Sequence, residues 1–506
     1  MPHKVTTLKR YRISNDVLLM ILEKLAPVAL YKTCQAFQRV WMLVMEFQHL
    51  RYKFELAVVG MKDGPASYMG RSALLRLQLL TAYKKDWPRL TWSDELKLRV
   101  PLNATQVNLA GPFLYHTGNQ SLDLLELPSY RTARPPSQTH HLKYITSQAD
   151  CVAVDPLQSL IVASSLVAAA NGQIVLRLKI RDLWTFDKHA KASSANFECP
   201  THIAQPIANV AIVISGNRMV VTLDFVSGLT RHLLMDWSTL QAMWLDEQDA
   251  VLLNSHYLLG VRKVAGHSVL YLYNVSDMRT VAIEREYELP PIWAKSAIRL
   301  GRNTAPATDN ATPSSALFYA DPAARVLLLT AKQTGPNANG MHWMFVNEAF
   351  FRPTSHPDRR IVPWIYWSQF CLIRELQINQ VVGNPNVVGS RVIYLEKDGT
   401  RSSRGHERNH LSIIDFSPYP DVAIPAPTKV WTLIGKQSTL RPSEIHREFP
   451  FATTNGLAVE NIHATEDNVV LVLEPTGDFK PVNILTFGAP VPRATRPHDI
   501  QYHQAL

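Results

Sequence analysis

The segment Ser215–Trp237, SGNRMVVTLDFVSGLTRHLLMDW, decides how most of this chain is interpreted. It contains a polar turn, an apolar run, a short Ser-Gly gap and a second apolar run. Short runs rich in β-branched and aromatic residues, bounded by turn residues, are typical of paired β-strands. The template recurs in NSHYLLGVRKVAGHSVLYLYNV, from Asn254, and in TEDNVVLVLEPTGDFKPVNILTF, from Thr465. The repetition therefore predicts hairpins that belong to one repeated unit.

The same pattern extends over residues 105–488, where short strand-like runs alternate with turn residues and no long amphipathic helix intervenes. A second echo pairs Val154-Asp155-Pro156 with Ala320-Asp321-Pro322, each followed by an aliphatic run. Units of four strands and about 40–50 residues are those of a β-propeller, and this length would hold about seven or eight blades. A pair of large β-sandwiches, or a divergent β-fold without repeats, is the alternative.

The first hundred residues predict helices instead. Ser14 or Asn15 can cap a helix whose apolar residues, from Val17 to Leu25, form a single stripe. Pro27 ends that helix and can start a second one, to Lys32. We expect a third helix over residues 33–52 and a fourth over residues 72–83, ending before Trp87-Pro88.

Residues 13–53 resemble an F-box. The resemblance is carried by Asp16, Val17-Leu18, Ile21-Leu22, Leu25, Pro27, Leu30, Arg39-x-Trp41 and Leu50-Arg51. Ser14 stands where the family often has Pro, and Gln38 where a Cys often precedes the Arg. A helical stretch and a long β-rich region follow, a layout similar to that of a large fungal group of F-box proteins.

The resemblance implies a substrate-receptor subunit of a Skp–cullin–F-box ubiquitin ligase, which acts in ubiquitin-dependent protein degradation and performs no chemistry itself. The F-box would bind the Skp-type adaptor and, through it, a cullin, while the β domain would bind a protein substrate that the sequence does not identify. The expected adaptor-binding residues are Val17, Leu18, Ile21, Leu22, Leu25, Pro27, Leu30, Arg39 and Trp41. Of these, Trp41 is expected to fill the three-helix core, and Arg39 to face outward.

Two other functions stay open. A non-catalytic propeller scaffold would use the N-terminal helices only as a support packed on their own β domain. A propeller hydrolase would use scattered Asp, Glu or His residues that the sequence does not single out.

The predicted fold is thus an α+β multidomain chain, with a small three-helix F-box and a helical linker followed by a large all-β domain, a β-propeller of about seven or eight blades. The predicted boundaries are a basic tail over 1–12, the F-box over 13–53, the linker over 54–100, the β domain over 101–490 and a C-terminal tail over 491–506.

Charge is concentrated near the N-terminus. The chain has 52 Lys and Arg against 42 Asp and Glu, a net charge of +10, and residues 1–100 hold 17 of the basic and eight of the acidic residues. The near-neutral remainder argues against nucleic acid as the partner of the whole protein. Because Skp-family adaptors are acidic, we expect the basic region to speed their association.

Compartment and membrane association follow from composition. No run approaches the 18 apolar residues of a membrane span. The four widely spaced cysteines, Cys34, Cys151, Cys199 and Cys371, predict reduced thiols and a cytoplasmic or nuclear location, or both.

No segment predicts catalysis, a metal or a cofactor. The segment His406–His410 matches H-E-x-x-H, but a Gly- and Ser-containing loop precedes it and a strand follows, so the two His would not share a helix face. His140-His141 are expected to be exposed loop residues. Lys84, Lys85 and Arg89 interleave with Tyr83, Trp87 and Trp92, a weak pattern for nucleic-acid binding. The cluster Trp364-Ile365-Tyr366-Trp367, with Phe370, is expected in a strand core, with a binding surface as the alternative.

Overall fold

Five helices precede the propeller blades in the part of the chain that the structure, a computed structural model, describes, and one short strand lies between the fourth and the fifth of them. That part comprises residues 13–65, 72–102, 107–118, 121–132, 140–143, 149–168, 173–203, 205–305, 307, 315–334, 340–352, 360–377, 380–401, 407–417, 440, 442–449 and 451–489. The helices are α1 (Asn15–Lys24), α2 (Pro27–Ala36), α3 (Gln38–Glu46), α4 (Gln48–Val59) and α5 (Ala73–Arg89). The two predicted terminal tails lie outside the described residues.

Several predicted helix boundaries are wrong. The second helix does not end at Lys32 but continues to Ala36, so the next helix begins at Gln38 and not at residue 33. The single third helix is two helices, because Phe47 has an extended backbone, with φ −99° and ψ 114°, between α3 and α4. The fourth helix does not end before Trp87-Pro88 but continues to Arg89. Trp87 is buried and stacks on Phe487 with ring centroids 4.1 Å apart. This packing holds the last turn although Pro88 supplies no N–H.

Most of the β-strands form seven blades of four antiparallel strands, each ordered from an inner strand near the axis of the ring to an outer strand at its rim. In blade 4, a short fifth strand from the connections of blade 5 pairs parallel with the outer strand. Two strands come first in the chain, β1 (Met61–Asp63) and β2 (Asp94–Pro101). Blade 1 contains β3 (Asn108–Ala110), β4 (Phe113–Thr117), β5 (Ser121–Glu126) and β6 (His140–Lys143), and blade 2 contains β7 (Cys151–Asp155), β8 (Leu160–Ala168), β9 (Ile174–Asp182) and β10 (Asn196–Pro200). Blade 3 contains β11 (Ile207–Ser215), β12 (Arg218–Phe225), β13 (Thr230–Asp236) and β14 (Gln241–Leu245).

The remaining blades follow the same order. Blade 4 contains β15 (Asp249–Leu252), β16 (Tyr257–Val264), β17 (His267–Asn274) and β18 (Ala282–Glu288). Blade 5 contains β19 (Ser296–Gly301), β21 (Val326–Gln333), β22 (Gly340–Asn347) and β24 (Cys371–Gln377), with β20 (Phe318–Ala320) and β23 (Ile361–Val362) in its connections. Blade 6 contains β25 (Val381–Val388), β26 (Arg391–Arg401), β27 (Glu407–Asp415) and β28 (Ser443–Glu448). Blade 7 contains β29 (Val459–Ala464), β30 (Asn468–Leu473), β31 (Phe479–Thr486) and, as its outer strand, β2.

The ring closes by sharing blade 7 between the two ends of the β region. Strand β2 pairs antiparallel with β31 from Asp94↔Thr486 to Pro101↔Phe479. The molecule is therefore a seven-bladed β-propeller, within the predicted range of blade number. The propeller begins at Asp94 and not at residue 101, so the last residues of the predicted helical linker belong to a blade.

The repeats found in the sequence correspond to equivalent structures. The three long templates are the second and third strands of blades 3, 4 and 7. In the shorter echo, Asp155 and Asp321 each begin a 3₁₀ turn and accept a hydrogen bond from the backbone N–H two residues later, at 3.2 and 2.9 Å. The echo thus marks one kind of side-chain-capped turn.

A further repeat, not recognised in the sequence, ends the third strand of five blades. At each position an Asp or Asn side chain accepts a hydrogen bond from the backbone N–H two residues later. The five residues are Asp182, Asp236, Asn274, Asn347 and Asp415. Such Asx turns give the backbone a partner where the sheet ladder stops.

The antiparallel order divides the blade connections between two faces of the propeller. Connections between first and second strands, and between third and fourth, lie on one face, which we call the helix-side face. Connections between second and third strands, and between blades, lie on the other, which we call the open face. Tyr83 of α5 reaches the first connection of blade 7, where its hydroxyl donates to the carbonyl of Glu466 at 2.6 Å. The helices therefore dock on the helix-side face, near blades 5, 6 and 7.

Candidate functional site

Helices α1–α4 form a compact unit, residues 13–59, that we call the helical module. Its core consists of eight buried side chains contributed by all four helices: Leu22, Leu30, Cys34, Val40, Val44, Leu50, Phe54 and Val58. Ser14 caps α1 by accepting from the N–H of Val17 at 3.4 Å, and Pro27 begins α2, as predicted. Burial raises the pKa of the Cys34 thiol to about 11, so this cysteine stays protonated and packs as an apolar residue.

Helix α1 carries two apolar stripes and not the single predicted one. Leu22 is buried, and Leu18 and Leu25 pack against the same core. Val17 and Ile21, one helical turn apart, are instead 48% and 45% exposed. A helix that packed only on its own core would place polar residues on that outward side.

Exposed apolar residues also occur on the neighbouring helices. Eight of the 19 exposed large apolar residues in the described chain fall within residues 13–42, and we call these eight the outward apolar set. They are Ile13, Val17, Met20, Ile21, Val28, Phe37, Trp41 and Met42. Exposed apolar residues scattered singly are ordinary, whereas such a concentration on one small unit is typical of interaction surfaces.

Arg39 holds the beginnings of α1 and α3 together. Its guanidinium donates to Oδ1 of Asn15 at 2.6 Å and to the carbonyl of Ile13 at 2.8 Å. These contacts bring the outward residues of α1 next to those of α3. Arg39 is exposed, as its predicted outward position required.

Trp41 does not fill the module core, so that prediction is wrong. Its ring meets Phe54 edge-on at 5.2 Å but stays 40% exposed. Val40 and Val44 occupy the core instead, because one residue along a helix rotates the side chain by about 100°. Trp41 therefore belongs to the outward apolar set.

The predicted adaptor-binding residues divide into two groups. Leu22 and Leu30 are buried and Leu18, Leu25 and Pro27 are half-buried, so these five mainly support the module. Val17, Ile21, Arg39 and Trp41 are exposed. The sequence reasoning missed five outward residues: Ile13, Met20, Val28, Phe37 and Met42. One signal could have separated the two stripes. Ile13, Val17 and Ile21 lie four residues apart, and each of the last two is one position before a core-facing leucine, Leu18 or Leu22.

Helix α4 belongs to the module core and the propeller core at once. Leu50, Phe54 and Val58 face α1–α3. Three other residues of α4, Tyr52, Leu56 and Val59, join one continuous core with α5 and blades 6 and 7. Because one helix is buried on both sides, the module is fixed to the propeller. The predicted linker over 54–100 is thus a packed platform.

Buried polar contacts reinforce this platform. Arg131 donates to Asp467 at 2.9 Å and to Glu466 at 2.9 Å, and all three side chains are buried. Arg391 donates to the hydroxyl of Tyr83 at 2.8 Å. Burial, only partly offset by Arg391, raises the pKa of Tyr83 to about 12. Since buried polar groups are costly unless paired, this network specifies one docking position for α5.

Strand β1 adds a second attachment. It pairs with β20 from Met61↔Ala320 to Asp63↔Phe318, and Gly64 N–H then donates to the carbonyl of Leu317 at 2.8 Å. A Cβ on Gly64 would lie 2.1 Å from the carbonyl oxygen of Ala316, so only glycine fits this approach.

The motifs considered for catalysis do not form a site. Glu407–His410 lie in strand β27, as the predicted absence of a helix requires, and His406 lies outside the described residues. His140 and His141 lie in strand β6 and not in a loop, although both are exposed. Among the described residues, no three His, Cys, Asp or Glu side chains converge as a metal site. The described helices are all too short or too polar to span a membrane.

The aromatic cluster near Trp364 is split between core and surface. Trp364–Trp367 form a short helix, α6, and not part of a strand. Trp367 is buried and donates from Nε1 to the carbonyl of Glu288 at 2.8 Å. Ile365 and Tyr366 are 73% and 52% exposed. The prediction of a strand core is therefore wrong for the backbone and right only for the burial of Trp367.

Comparison with known proteins concerns the propeller. No family model matches the chain, and no curated protein matches it. The WD40 domain of SCAP from fission yeast matches with 8% identity and a TM-score of 0.40, over 79% of this chain and 99% of that one. The WD40 domain of Toxoplasma gondii coronin matches with 8% identity and a TM-score of 0.38, over 80% of this chain and 88% of that one. These similarities concern the fold alone.

Proposed function

We propose that this protein is the substrate-receptor subunit of a Skp–cullin–F-box ubiquitin ligase. The outward apolar set would bind the Skp-type adaptor, and the propeller would bind the protein substrate. The observation that carries the proposal is that the helical module completes its own core and still exposes eight large apolar side chains. Apolar helix faces of this kind bind in a partner's groove, and buried aromatic and aliphatic anchors supply most of the affinity.

The attachment of the module to the propeller fits a receptor. A ligase receptor raises the local concentration of its substrate near the ubiquitin-bearing enzyme, and this effect depends on the geometry between the two binding sites. Helix α4, which is buried on both sides, and the network around Arg131 support a single fixed orientation of the helical module relative to the propeller. A module joined by a flexible chain would spread the substrate over a larger volume.

Charge contributes less at the module than the sequence total suggests. Residues 13–59 contain five Lys or Arg and four Asp or Glu, so the helical module is nearly neutral. The basic residues of 1–12 and of 60–100 account for most of the N-terminal excess. We therefore expect the adaptor to be held mainly by apolar contact, with a modest dependence of the association rate on salt.

The test is capture of a purified Skp-type adaptor by the full-length protein. We expect the double variant Val17→Asp with Ile21→Asp to weaken binding by about a hundredfold or more, because charges replace two adjacent anchors. The module should stay folded, since Asp has nearly the same helix propensity as Val and Ile.

The matched control is Leu157→Asp with Leu102→Asp, whose side chains are 52% and 46% exposed on the propeller. This control should bind the adaptor as the wild type does. Substitution of the buried Leu22 and Leu30 is a poorer test, because it would unfold the module. Wild-type protein that captures no adaptor at micromolar concentration would overturn the proposal and leave the propeller-scaffold function, in which the helices are only a support.

A further inference from the structure

An arginine without an ion-pair partner among the described residues lies at the axis of the propeller. Arg302 directly follows β19, the inner strand of blade 5. Its Nη2 donates to the carbonyl of Ile214 in β11, the inner strand of blade 3, at 3.4 Å. Because blade 4 separates these two blades, the side chain spans the central channel that the inner strands surround. Both strands end at the helix-side face, so Arg302 lies in the channel near that face.

Arg302 differs from buried arginines elsewhere in the propeller, which pair with carboxylates of their own chain. Five of these are Arg131, Arg218, Arg325, Arg374 and Arg391. Arg302 forms no ion pair with any described residue, and its one hydrogen bond within that part of the chain is the long one to Ile214. A guanidinium has five N–H donors in a planar fork, so most of the donors of Arg302 remain available to a ligand.

The surroundings of Arg302 are those of a solvent-filled channel. The residue is exposed, so solvent reaches it in the full-length chain with the helices in place. Burial by the surrounding protein nevertheless lowers the pKa of its guanidinium, and the nearby Tyr115 and Asp155 oppose this shift only partly, while Arg325 adds to it. A cation that has lost part of its hydration without gaining an ion pair is stabilised by any anion that reaches it.

The neighbouring charges indicate which anion fits. Arg325 is already paired with Glu348 at 3.0 Å, so it needs no further anion. Asp155, which accepts from Nε2 of Gln158 at 2.6 Å, supplies a negative charge near Arg302 without contacting it. A carboxylate brings one negative charge, and its two oxygens match the fork of a guanidinium. A phosphate group would bring a charge of about −1.5 to −2 and would therefore be repelled more strongly by Asp155.

We propose that the central channel binds a carboxylate at Arg302, carried by a small organic acid or by an Asp or Glu side chain of a bound protein. The free N–H groups of the guanidinium would donate to the two carboxylate oxygens. Arg302 does not belong to the outward apolar set, and the inference goes beyond the proposed function without resting on it. Adaptor capture and carboxylate binding can therefore fail or succeed separately.

Phenylglyoxal modification of the full-length protein, followed at each arginine by mass spectrometry, tests the site. Arg302 should react, because it is exposed. In about 100 mM acetate its reaction should be about fivefold or more slower than in chloride at equal ionic strength, since a bound carboxylate covers the guanidinium. Arg89, which is exposed on α5, should react equally fast in both salts. A capped Gly-Glu-Gly peptide, compared with its Gly-Gln-Gly counterpart, shows whether a carboxylate on a peptide chain also protects Arg302.

The outcomes of this experiment distinguish the sources of the carboxylate. Protection by acetate alone supports a small organic acid as the ligand, and protection by the Glu peptide as well supports an acidic side chain. Equal rates of Arg302 modification in acetate and chloride would overturn the inference. Stronger protection by inorganic phosphate than by acetate, at the same ionic strength, would overturn it too.

The variant Arg302→Gln gives an independent measurement. Acetate should raise the melting temperature of the wild type above its value in chloride, because a ligand of the folded state stabilises that state, and the variant should show no such difference. Arg302→Lys, which keeps the charge without the planar fork, should show a smaller difference than the wild type. In chloride, Arg302→Gln should melt no lower than the wild type. A decrease of more than about 4 °C would assign Arg302 a structural role and overturn the inference.

Discussion

The helical module, residues 13–59, and the propeller, residues 94–489, differ in how much apolar surface each leaves exposed. The module exposes eight large apolar residues, and the described part of the much longer propeller exposes ten. The propeller closes its ring through β2 and buries both faces of most of its sheets. The module has one closed core and also exposes eight large apolar side chains. This difference is the observation on which the proposed adaptor-binding role of the module rests.

The largest expected effect concerns a buried ion-pair network inside the propeller, on the helix-side face. Arg131→Met leaves Glu466 and Asp467 buried without their cation, and loss of one partner of a buried ion pair costs about 3–5 kcal/mol. Urea denaturation should show this decrease in the free energy of unfolding. A decrease in the free energy of unfolding of less than about 1 kcal/mol would show that these ion pairs behave like exposed ones and do not stabilise the closed ring.

A smaller effect separates the module from the propeller. Leu30 is fully buried in the module core, and Leu→Ala at such positions costs about 2–5 kcal/mol. We expect Leu30→Ala to speed hydrogen exchange of the α1–α3 amides and to leave the amides of blades 2–4 unchanged. Equal acceleration in both regions would show that the module has no core of its own.

Acid should act on the propeller through His232. Burial, the largest cause, and the nearby charge of Arg299 lower the pKa of this imidazole to about 4, although a hydrogen bond with the backbone of Gln248 and the charge of Asp224 partly oppose the shift. The pKa in the folded state lies below the unfolded value of about 6.5. The contribution of the neutral ring to the free energy of unfolding is therefore fully present above pH 6.5 and is lost as the pH falls towards 4. The loss reaches about 3 kcal/mol.

The variant His232→Asn isolates this contribution. Its free energy of unfolding should depend less on pH between 6.5 and 4.5 than that of the wild type, when both are measured by urea denaturation. Parallel curves for the two proteins would contradict the burial of a neutral ring at this position.

The smallest effect concerns the exposed side of the module. Val17→Ala should change the free energy of unfolding by less than about 0.5 kcal/mol, because the side chain is half exposed and contributes little to the core. Thermal melting of the two proteins checks this value. A loss comparable to that of Leu30→Ala would show that Val17 is a core residue and not part of the outward apolar set.

The sequence was informative where one pattern had one structural outcome. Repeated hairpins such as Ser215–Trp237 predicted the propeller, because turn residues and β-branched runs recur at blade spacing. Pro27 and Ser14 predicted helix starts for local reasons of backbone geometry and capping. These signals act within a few residues and need no knowledge of the tertiary contacts.

The rest depended on tertiary contacts. The outer strand β2 is separated from its partner β31 by the whole ring, so its pairing left no local signal. Trp87 keeps α5 helical past Pro88 only because Phe487 receives its ring. On α1, Val17 and Leu18 are both aliphatic. Val17 is exposed and Leu18 packs against the core only because of where α2 and α3 lie. The exposed surface was therefore only partly predicted.

Titration calorimetry of the full-length protein with a purified Skp-type adaptor tests the central claim most directly. Because binding would bury the outward apolar set, we expect saturable one-to-one association at micromolar or lower concentration with a negative change in heat capacity. The Val17→Asp, Ile21→Asp variant should abolish that signal under the same conditions. Absence of binding by the folded wild type, or binding that this variant leaves unchanged, would contradict the assignment of the helical module as an F-box.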